Sequence, residues 1–434
     1  MLIKHLNSIR CYSGILYIVN VKNIEIIPFF IYNKNGGSMS EFISILISFI
    51  FMSLAESVDS FFNNKISIDA IIVCSSLFSI NLLGKSLGEL GTYTYRVIRK
   101  KEFSYLAITG IVSLFAGIFI FFTRDLFINL FNMSLDQKEL LSNLLALYII
   151  YLPVSLIDSG FFEMVRLKND LKLYRNSLIL FYILLIFFDI IAFYFTGSLI
   201  MLYIATIIAH IINIIYLTAK FDLKYEKISK EDISNVKKYG ITLSLERLLS
   251  RIFILIYGVL ASYMGENKYA IHSICYGICL NLEIVTNAYS AALMIKIPEE
   301  KDKSKQIILL RDYMKMCFKT VIIINFVLAI IMLIIQHGSL PIKDCFPYII
   351  FYCLTVFGLY LYESYKAICI IQGKPKIILK GSIVGVIVRV VICLLFLKTP
   401  ICLYIFGIAS LIDFYVRSVF YKSGLKYDQK EFEI

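Results

Sequence analysis

Residues 321–335 read VIIINFVLAIIMLII and residues 199–217 read LIMLYIATIIAHIINIIYL. The first run has Asn325 as its only polar side chain, and neither run carries a charge. A helix needs about 20 mostly apolar residues to cross the hydrocarbon core of a bilayer. Strands of an outer-membrane barrel would instead show segments of about ten alternating residues, and no such alternation is present. Both runs therefore predict membrane-spanning helices.

The same pattern recurs along the chain, predicting helices near 41–62, 66–92, 103–123, 140–164, 174–196, 197–218, 237–262, 268–295, 316–336, 346–371, 376–398 and 401–419. With 59% hydrophobic and 17% charged residues and a mean hydropathy of +0.79 over 434 residues, there is too little polar surface to cover a water-soluble body. The expectation is an all-α membrane protein of about twelve spans, leaving no room for a soluble catalytic domain.

The formal net charge of +12 is distributed unevenly. Arg96, Arg99, Lys100 and Lys101 follow the second span; Arg166, Lys168, Lys172 and Arg175 the fourth; Lys237 and Lys238 precede the seventh. Lys296, Lys301, Lys303 and Lys305 follow the eighth and Lys374, Lys376 and Lys380 the tenth, while the intervening loops are nearly neutral. The positive-inside bias then puts both termini in the cytoplasm; a multi-pass protein of the cell membrane is expected, and a monomer is the expected state. No basic stretch is interleaved with polar surface as a phosphate backbone would require, so nucleic acid is not an expected partner. The partners expected are the lipid bilayer and a small organic substrate. The ten cysteines lie mostly within spans and form no C-x-x-C pair, which implies neither a disulfide framework nor a metal site. Cys275 and Cys279 read as packing residues.

Residues 1–38 fit the pattern poorly. Lys22, Glu25, Lys34 and Gly36–Gly37 interrupt a half-apolar stretch without a leader-peptide cleavage site. The codons of Asn35 to Ser38 are compatible with a ribosome-binding run, and Met39 is expected to be the natural start. Native peptides from upstream of Met39 would contradict that. From there the chain divides into an N-lobe (39–219), a charged linker (220–238), a C-lobe (239–420) and a tail (421–434). A shift of 200 residues aligns Ala70-Ile71 with Ala270-Ile271 and Asn81-Leu82 with Asn281-Leu282. Two six-helix lobes related by a pseudo-two-fold axis along the membrane normal, with a substrate site between them, are the architecture this implies.

Charged residues within spans are costly unless paired or hydrated, and so are functional candidates. Lys85 with Glu89, Asp413 with Arg417 and Glu363 with Lys366 are spaced to neutralise one another along a helix. Asp158 and Glu163, near the cytoplasmic end of the fourth span, are expected to be hydrated. Glu56 and Asp59 share a face of the first span with no cation close in sequence; two like charges in a poorly solvated place favour proton uptake, as a proton carrier requires. Asp189 stands alone within Phe187-Phe188-Asp189-Ile190-Ile191. In the seventh span Glu246, Arg247 and Arg251 form either a cation cluster for an anionic substrate group or an internal salt-bridge set. Glu283 and Arg389 are possible partners across helices. His210 and His272 read as hydrogen-bonded core imidazoles, and Gly84-x-x-x-Gly88-x-x-Gly91 as a close-packing face.

GITLSLERLL at 240–249, followed by MGENKYAIHSI at 264–274, resembles the start of the second lobe in the multidrug and toxin extrusion (MATE) family, which belongs to the multidrug/oligosaccharidyl-lipid/polysaccharide exporter superfamily. Val58-Asp59 with Ala70 is similar to the family's first-lobe Val-Asp and later Ala-rich turn, and Asp189-Ile190-Ile191 to the end of its fifth helix. Thr242, Leu185 and Ser67 stand where the family has Pro, Asn and Gly, and the Gly-Gln that ends its eighth helix is missing at 291–296. The resemblance implies a two-lobe antiporter that exchanges protons or sodium for an organic compound by alternating access, with no other cofactor and no catalytic or metal residues. Asp59, Glu56, Asp189 and Glu246 are then the ion-coupling carboxylates, and Arg247, Arg251, Glu283 and Arg389 the substrate-binding residues. A flippase for a lipid-linked saccharide or anionic natural product is the alternative. An intramembrane transferase is remote, because neither D-D-x-x-D nor H-x-x-x-x-D occurs.

Overall fold

The computed structural model describes residues 38–168, 170–296, 318, 322–337, 342–371 and 375–425, with side chains from Ser48 onward. The doubtful N-terminal segment 1–37 and the basic stretch 297–317 lie outside the described residues.

The first half holds α1 (Ser38–Ile66), α2 (Ile68–Gly88), α3 (Leu90–Ile98), α4 (Glu102–Phe122), α5 (Arg124–Leu130), α6 (Leu135–Leu167), α7 (Leu171–Thr196) and α8 (Leu199–Lys220). After the short α9 (Lys230–Asn235) and a π turn at Val236–Gly240, the second half holds α10 (Ile241–Ser262), α11 (Glu266–Lys296), α12 (Ile322–Ile335), α13 (Ile342–Cys353), α14 (Thr355–Ile371), α15 (Pro375–Phe396) and α16 (Cys402–Leu425). Eight spans among the described residues are long and apolar enough to cross a membrane by length and composition alone. α1, α10 and α11 have the length but carry the intramembrane charges that lower their hydropathy. Counting α2 with α3 and α13 with α14, and setting aside the short α5 and α9, twelve rods result among the described residues, as the sequence predicts.

Helix ends follow local chemistry. Ser67 caps α2 by accepting from the Ala70 amide at 3.0 Å, Ser134 and Gln137 close a capping box on α6, and Gly197, at φ 59°, lets α7 turn directly into α8. The second predicted span is broken: Glu89 leaves helical geometry (φ −78°, ψ 14°), and α3 sets off from it. The tenth is broken at Leu354, and α5 was not expected. The last helix continues to Leu425, past the predicted end of the C-lobe.

α4 packs on α6, α6 on α8, α7 on α8 and α1 on α7, whereas α16 packs on α14 and α15. The halves meet where α1 and α2 lie against α10 and α11. This seam contains both copies of the sequence repeat: Ile71 and Ile72 share one core with Tyr269, Ala270, Ile271 and Ile274. Large side chains such as Phe115, Phe119 and Phe122 of α4 and Tyr194 and Phe195 of α7 point outward, Phe195 being 84% exposed. A surface so apolar requires lipid.

The glycine face of α2 and α3 packs as expected. Gly88 lies against Leu156 and Ser113, and Gly91 against the backbone of Tyr105 and Thr109. A Cβ at Gly91 would meet the Thr109 amide nitrogen at 2.9 Å, in a seam also fixed by a Thr92 amide to Thr109 hydroxyl bond of 2.9 Å. Gly91→Leu is expected to lower stability by about 1–3 kcal/mol through overpacking, measurable as a lowered denaturation midpoint of the purified protein in detergent.

Outside the membrane helices, α9 is tied to the first half by Lys101, whose ammonium donates to Asp232 at 3.0 Å and to Ser229 at 3.2 Å. Burial pushes the Asp232 carboxyl up, but the Ser229 amide and hydroxyl and the Lys101 ammonium outweigh it and hold it below the ordinary aspartate range. A carboxyl depressed in the folded state stabilises above its unfolded value and loses that contribution as pH falls. Faster amide exchange in α9, specific to that segment, is expected below about pH 4.

Candidate functional site

Asp59 of α1 and Asp189 of α7 face one another, their carboxyl groups within hydrogen-bonding reach. The surroundings are apolar: Val58, Phe61, Phe62, Phe188, Ala192 and Phe193 pack together around this junction. Asp59 also has Asn63 as a neighbour, its amide donating to Oδ2 at 3.4 Å and to the Asp59 carbonyl at 3.1 Å. Asp189 is fully buried, and neither of its oxygens receives a hydrogen bond from a described residue. The ionisable group that interacts with it among the described residues is another acid, so a proton or small cation between the two carboxyls is what would satisfy them.

The two acids of α1 thus have different partners. Glu56 and Asp59 share a face, but Glu56 accepts from the Tyr182 hydroxyl at 2.9 Å, while Asp59 meets Asp189. Lys85 lies within electrostatic range of Glu56. The expected Lys85–Glu89 ion pair is not found among the described residues: the Glu89 amide still donates to the Lys85 carbonyl at 3.0 Å, but the Glu89 carboxylate interacts with Tyr93 and the Lys85 ammonium with Glu56. The other two local couples do form, Lys366 to Glu363 at 3.2 Å and Arg417 to Asp413 at 2.5 and 2.7 Å.

Asp158 and Glu163 are not hydrated. Asp158 is fully buried, held by His210 Nδ1 at 2.7 Å and by the Asn213 amide at 2.7 Å. The His210 ring stacks on Phe181, centroids 4.5 Å apart. Glu163 is buried between Arg96 at 2.9 Å and Arg166 at 2.7 Å. Apart from Arg166, three residues along α6 from Glu163, the partners come from helices elsewhere in sequence, which position along the span cannot reveal. His272 is a hydrogen-bonded core imidazole as expected, with the Tyr352 hydroxyl 2.6 Å from Nδ1.

In the second half, Arg389 of α15 lies over the Tyr257 ring, 3.6 Å from its centroid, with Tyr276 at 5.9 Å. Its ion-pair contact is Asp413 at 3.7 Å rather than Glu283. Glu283 interacts with it electrostatically from farther away, because the α16 carboxylate occupies the nearer position. Arg251 and Arg247 are electrostatic neighbours of each other and of the Glu89 and Tyr93 region across the seam. The backbone of Glu246 lies in α10, and its side chain falls outside the described residues. Tyr182, Asp158 and the tyrosine cage were not anticipated: aromatic residues are common in every span, and pairings across tens to hundreds of residues leave no local spacing.

No family model matches the chain, and no curated protein matches it in sequence. Solved structures do. An inward-facing multidrug resistance MATE family transporter of the MOP superfamily is 17% identical at a TM-score of 0.65, over 90% of this chain and 98% of that one. An outward-facing counterpart is 16% identical at 0.63, over 91% and 97%. A MOP superfamily transporter from Pyrococcus furiosus, described as having a binding pocket of reversed polarity, is 16% identical at 0.63, over 92% and 98%. Over nearly its whole length, then, the chain has the twelve-helix, two-lobe fold of MATE family transporters.

Proposed function

We propose that the protein is a secondary active transporter, an antiporter that exports a small amphipathic organic compound by alternating access in exchange for protons or sodium, with no other cofactor. It is not an enzyme. It acts as a monomer in the cytoplasmic membrane, with both termini and the Lys101 side in the cytoplasm, in keeping with the charge bias of the loops. The lobes are 39–219 and 239–420, joined by the linker 220–238.

The observation that carries this is the Asp59–Asp189 pair. Two buried acids, with no donor to Asp189 among the described residues, are held together when a proton or cation lies between them and repel when both are ionised. α1 bears Asp59 and also reaches the second half: the Ser53 hydroxyl donates to the Asn281 carbonyl at 2.7 Å, and Gln336 bridges the Ser57 carbonyl at 3.0 Å and Asn64 at 3.2 Å. Loading or emptying the acid pair therefore moves a helix shared by both lobes, the two-state element that coupling needs. Glu56, fixed by Tyr182, and Glu246 are the further coupling carboxylates; Arg247, Arg251, Glu283 and Arg389 contact the cargo.

The test is ion movement in energised inside-out vesicles challenged with a panel of organic cations and anions at low and high sodium. A compound that dissipates the pH or sodium gradient only when the protein is present supports the proposal. No movement of either ion with any compound would overturn it in favour of an uncoupled flippase.

A further inference from the structure

The guanidinium of Arg417 grips Asp413 side-on, Nε on Oδ1 at 2.5 Å and Nη2 on Oδ2 at 2.7 Å. Arg389 presents the same Nε–Nη2 edge, yet neither nitrogen has a hydrogen-bond partner among the described residues. Only Nη1 approaches an anion, Asp413 at 3.7 Å, and that carboxylate is already engaged by Arg417. Two guanidiniums thus share one carboxylate, leaving one positive charge in excess at a residue that is 7% exposed. A buried cation with an unfilled fork is expensive to maintain for structure alone.

The groups around this edge come from α10, α11 and α16. α10 contributes the Tyr257 ring, whose hydroxyl is committed to the Phe406 carbonyl at 2.9 Å, and Arg251 farther along. α11 contributes Tyr276, His272 and the more distant Glu283; α16 contributes Asp413 and Arg417. On α11, Tyr276 and Gly277 are only partly buried, and nothing lies within 4 Å of where a Gly277 side chain would start. α11 is itself packed on α1, α2, α13 and α14.

We propose that the Nε–Nη2 edge of Arg389, backed by the Tyr257 and Tyr276 rings, binds the carboxylate or phosphate of an amphipathic organic anion. Planar two-point recognition suits both groups, and the flanking rings suit an apolar or aromatic body. The site deepens the proposed transport function by naming the charge on its cargo, and it rests on that proposal for the identification of its ligand as cargo. Binding is nevertheless measurable without transport, so failure of one is distinguishable from failure of the other. Glu283 is the internal carboxylate placed to compete for the same edge when the site is empty.

The experiment uses the full chain in phosphatidylcholine nanodiscs and equilibrium binding of dansylglycine, an aromatic carboxylate, against its neutral amide and the cation dansylcadaverine. The expected result is binding of the acid in preference to both others, weakened about ten-fold or more by Arg389→Gln and also by Arg389→Lys, which keeps the charge but not the fork. A rise in the thermal midpoint of the unmutated protein with the acid and not the amide gives the same answer if the variants fail to fold. Phosphatidic acid in the discs separates sources: competition with dansylglycine assigns the edge to a lipid headgroup, and its absence to a soluble anion. Equal binding of acid and amide, or unchanged binding in both Arg389 variants, would overturn the site.

Discussion

Asp59→Asn and Asp189→Asn are each expected to reduce ion-coupled transport to the level of protein-free vesicles, and the double variant to be no worse than either single one. The acids act as one unit: with one carboxyl gone there is no like-charge pair to open α1 from α7, whichever acid remains. The same substitutions should leave the fold intact. Asp189 is fully buried with no donor on either oxygen among the described residues, so Asn removes a buried ionisable group and an apolar side chain removes an uncompensated polar one. Asp189→Leu is expected to raise stability by about 1–3 kcal/mol while abolishing function. Measured together, transport and thermal unfolding separate a functional acid from a structural one. A structural acid would lose stability.

The largest structural loss is expected at Asp413. This carboxylate is fully buried and neutralises Arg417 while standing 3.7 Å from Arg389, so Asp413→Leu strands two guanidiniums where water cannot reach them. Breaking one side of such a set costs about 3–5 kcal/mol, and a sharp fall in folded yield and denaturation midpoint should follow. Adding Arg417→Met should restore part of the loss, because an apolar pair needs no compensation and only Arg389 is then left without its carboxylate. If the double variant is as unstable as the single one, α15 and α16 are held together by something other than this charge set.

What was legible in the sequence was what is local. Span positions follow from runs of apolar residues, and the couples Glu363–Lys366 and Asp413–Arg417 follow from helical spacing, because both are set by the chain within a turn. The same rule failed at Lys85–Glu89, where each side chain has another neighbour, Glu56 for Lys85 and Tyr93 for Glu89, that spacing cannot show. Asp59 and Asp189 could be singled out as charges in apolar runs, but not paired with each other, since 130 residues separate them and α7 packs on α1 only in the folded chain. Asp158 shows the converse error. Its place near the end of a span suggested water, yet the face of α6 it occupies turns toward α8, where His210 and Asn213 wait.

The most direct measurement is the infrared difference spectrum of the purified protein between ion-loaded and substrate-loaded states, for the unmutated chain, Asp59→Asn and Asp189→Asn. If the Asp59–Asp189 pair carries the coupling proton, a protonated-carboxyl band present before substrate is added disappears on loading and is missing from both variants. A carboxyl band that persists through loading, or that survives both substitutions, would contradict proton coupling at this pair. An unchanged spectrum with protons and a shift in the ionised-carboxylate bands with sodium would replace the proton by sodium as the ion that α1 and α7 hold.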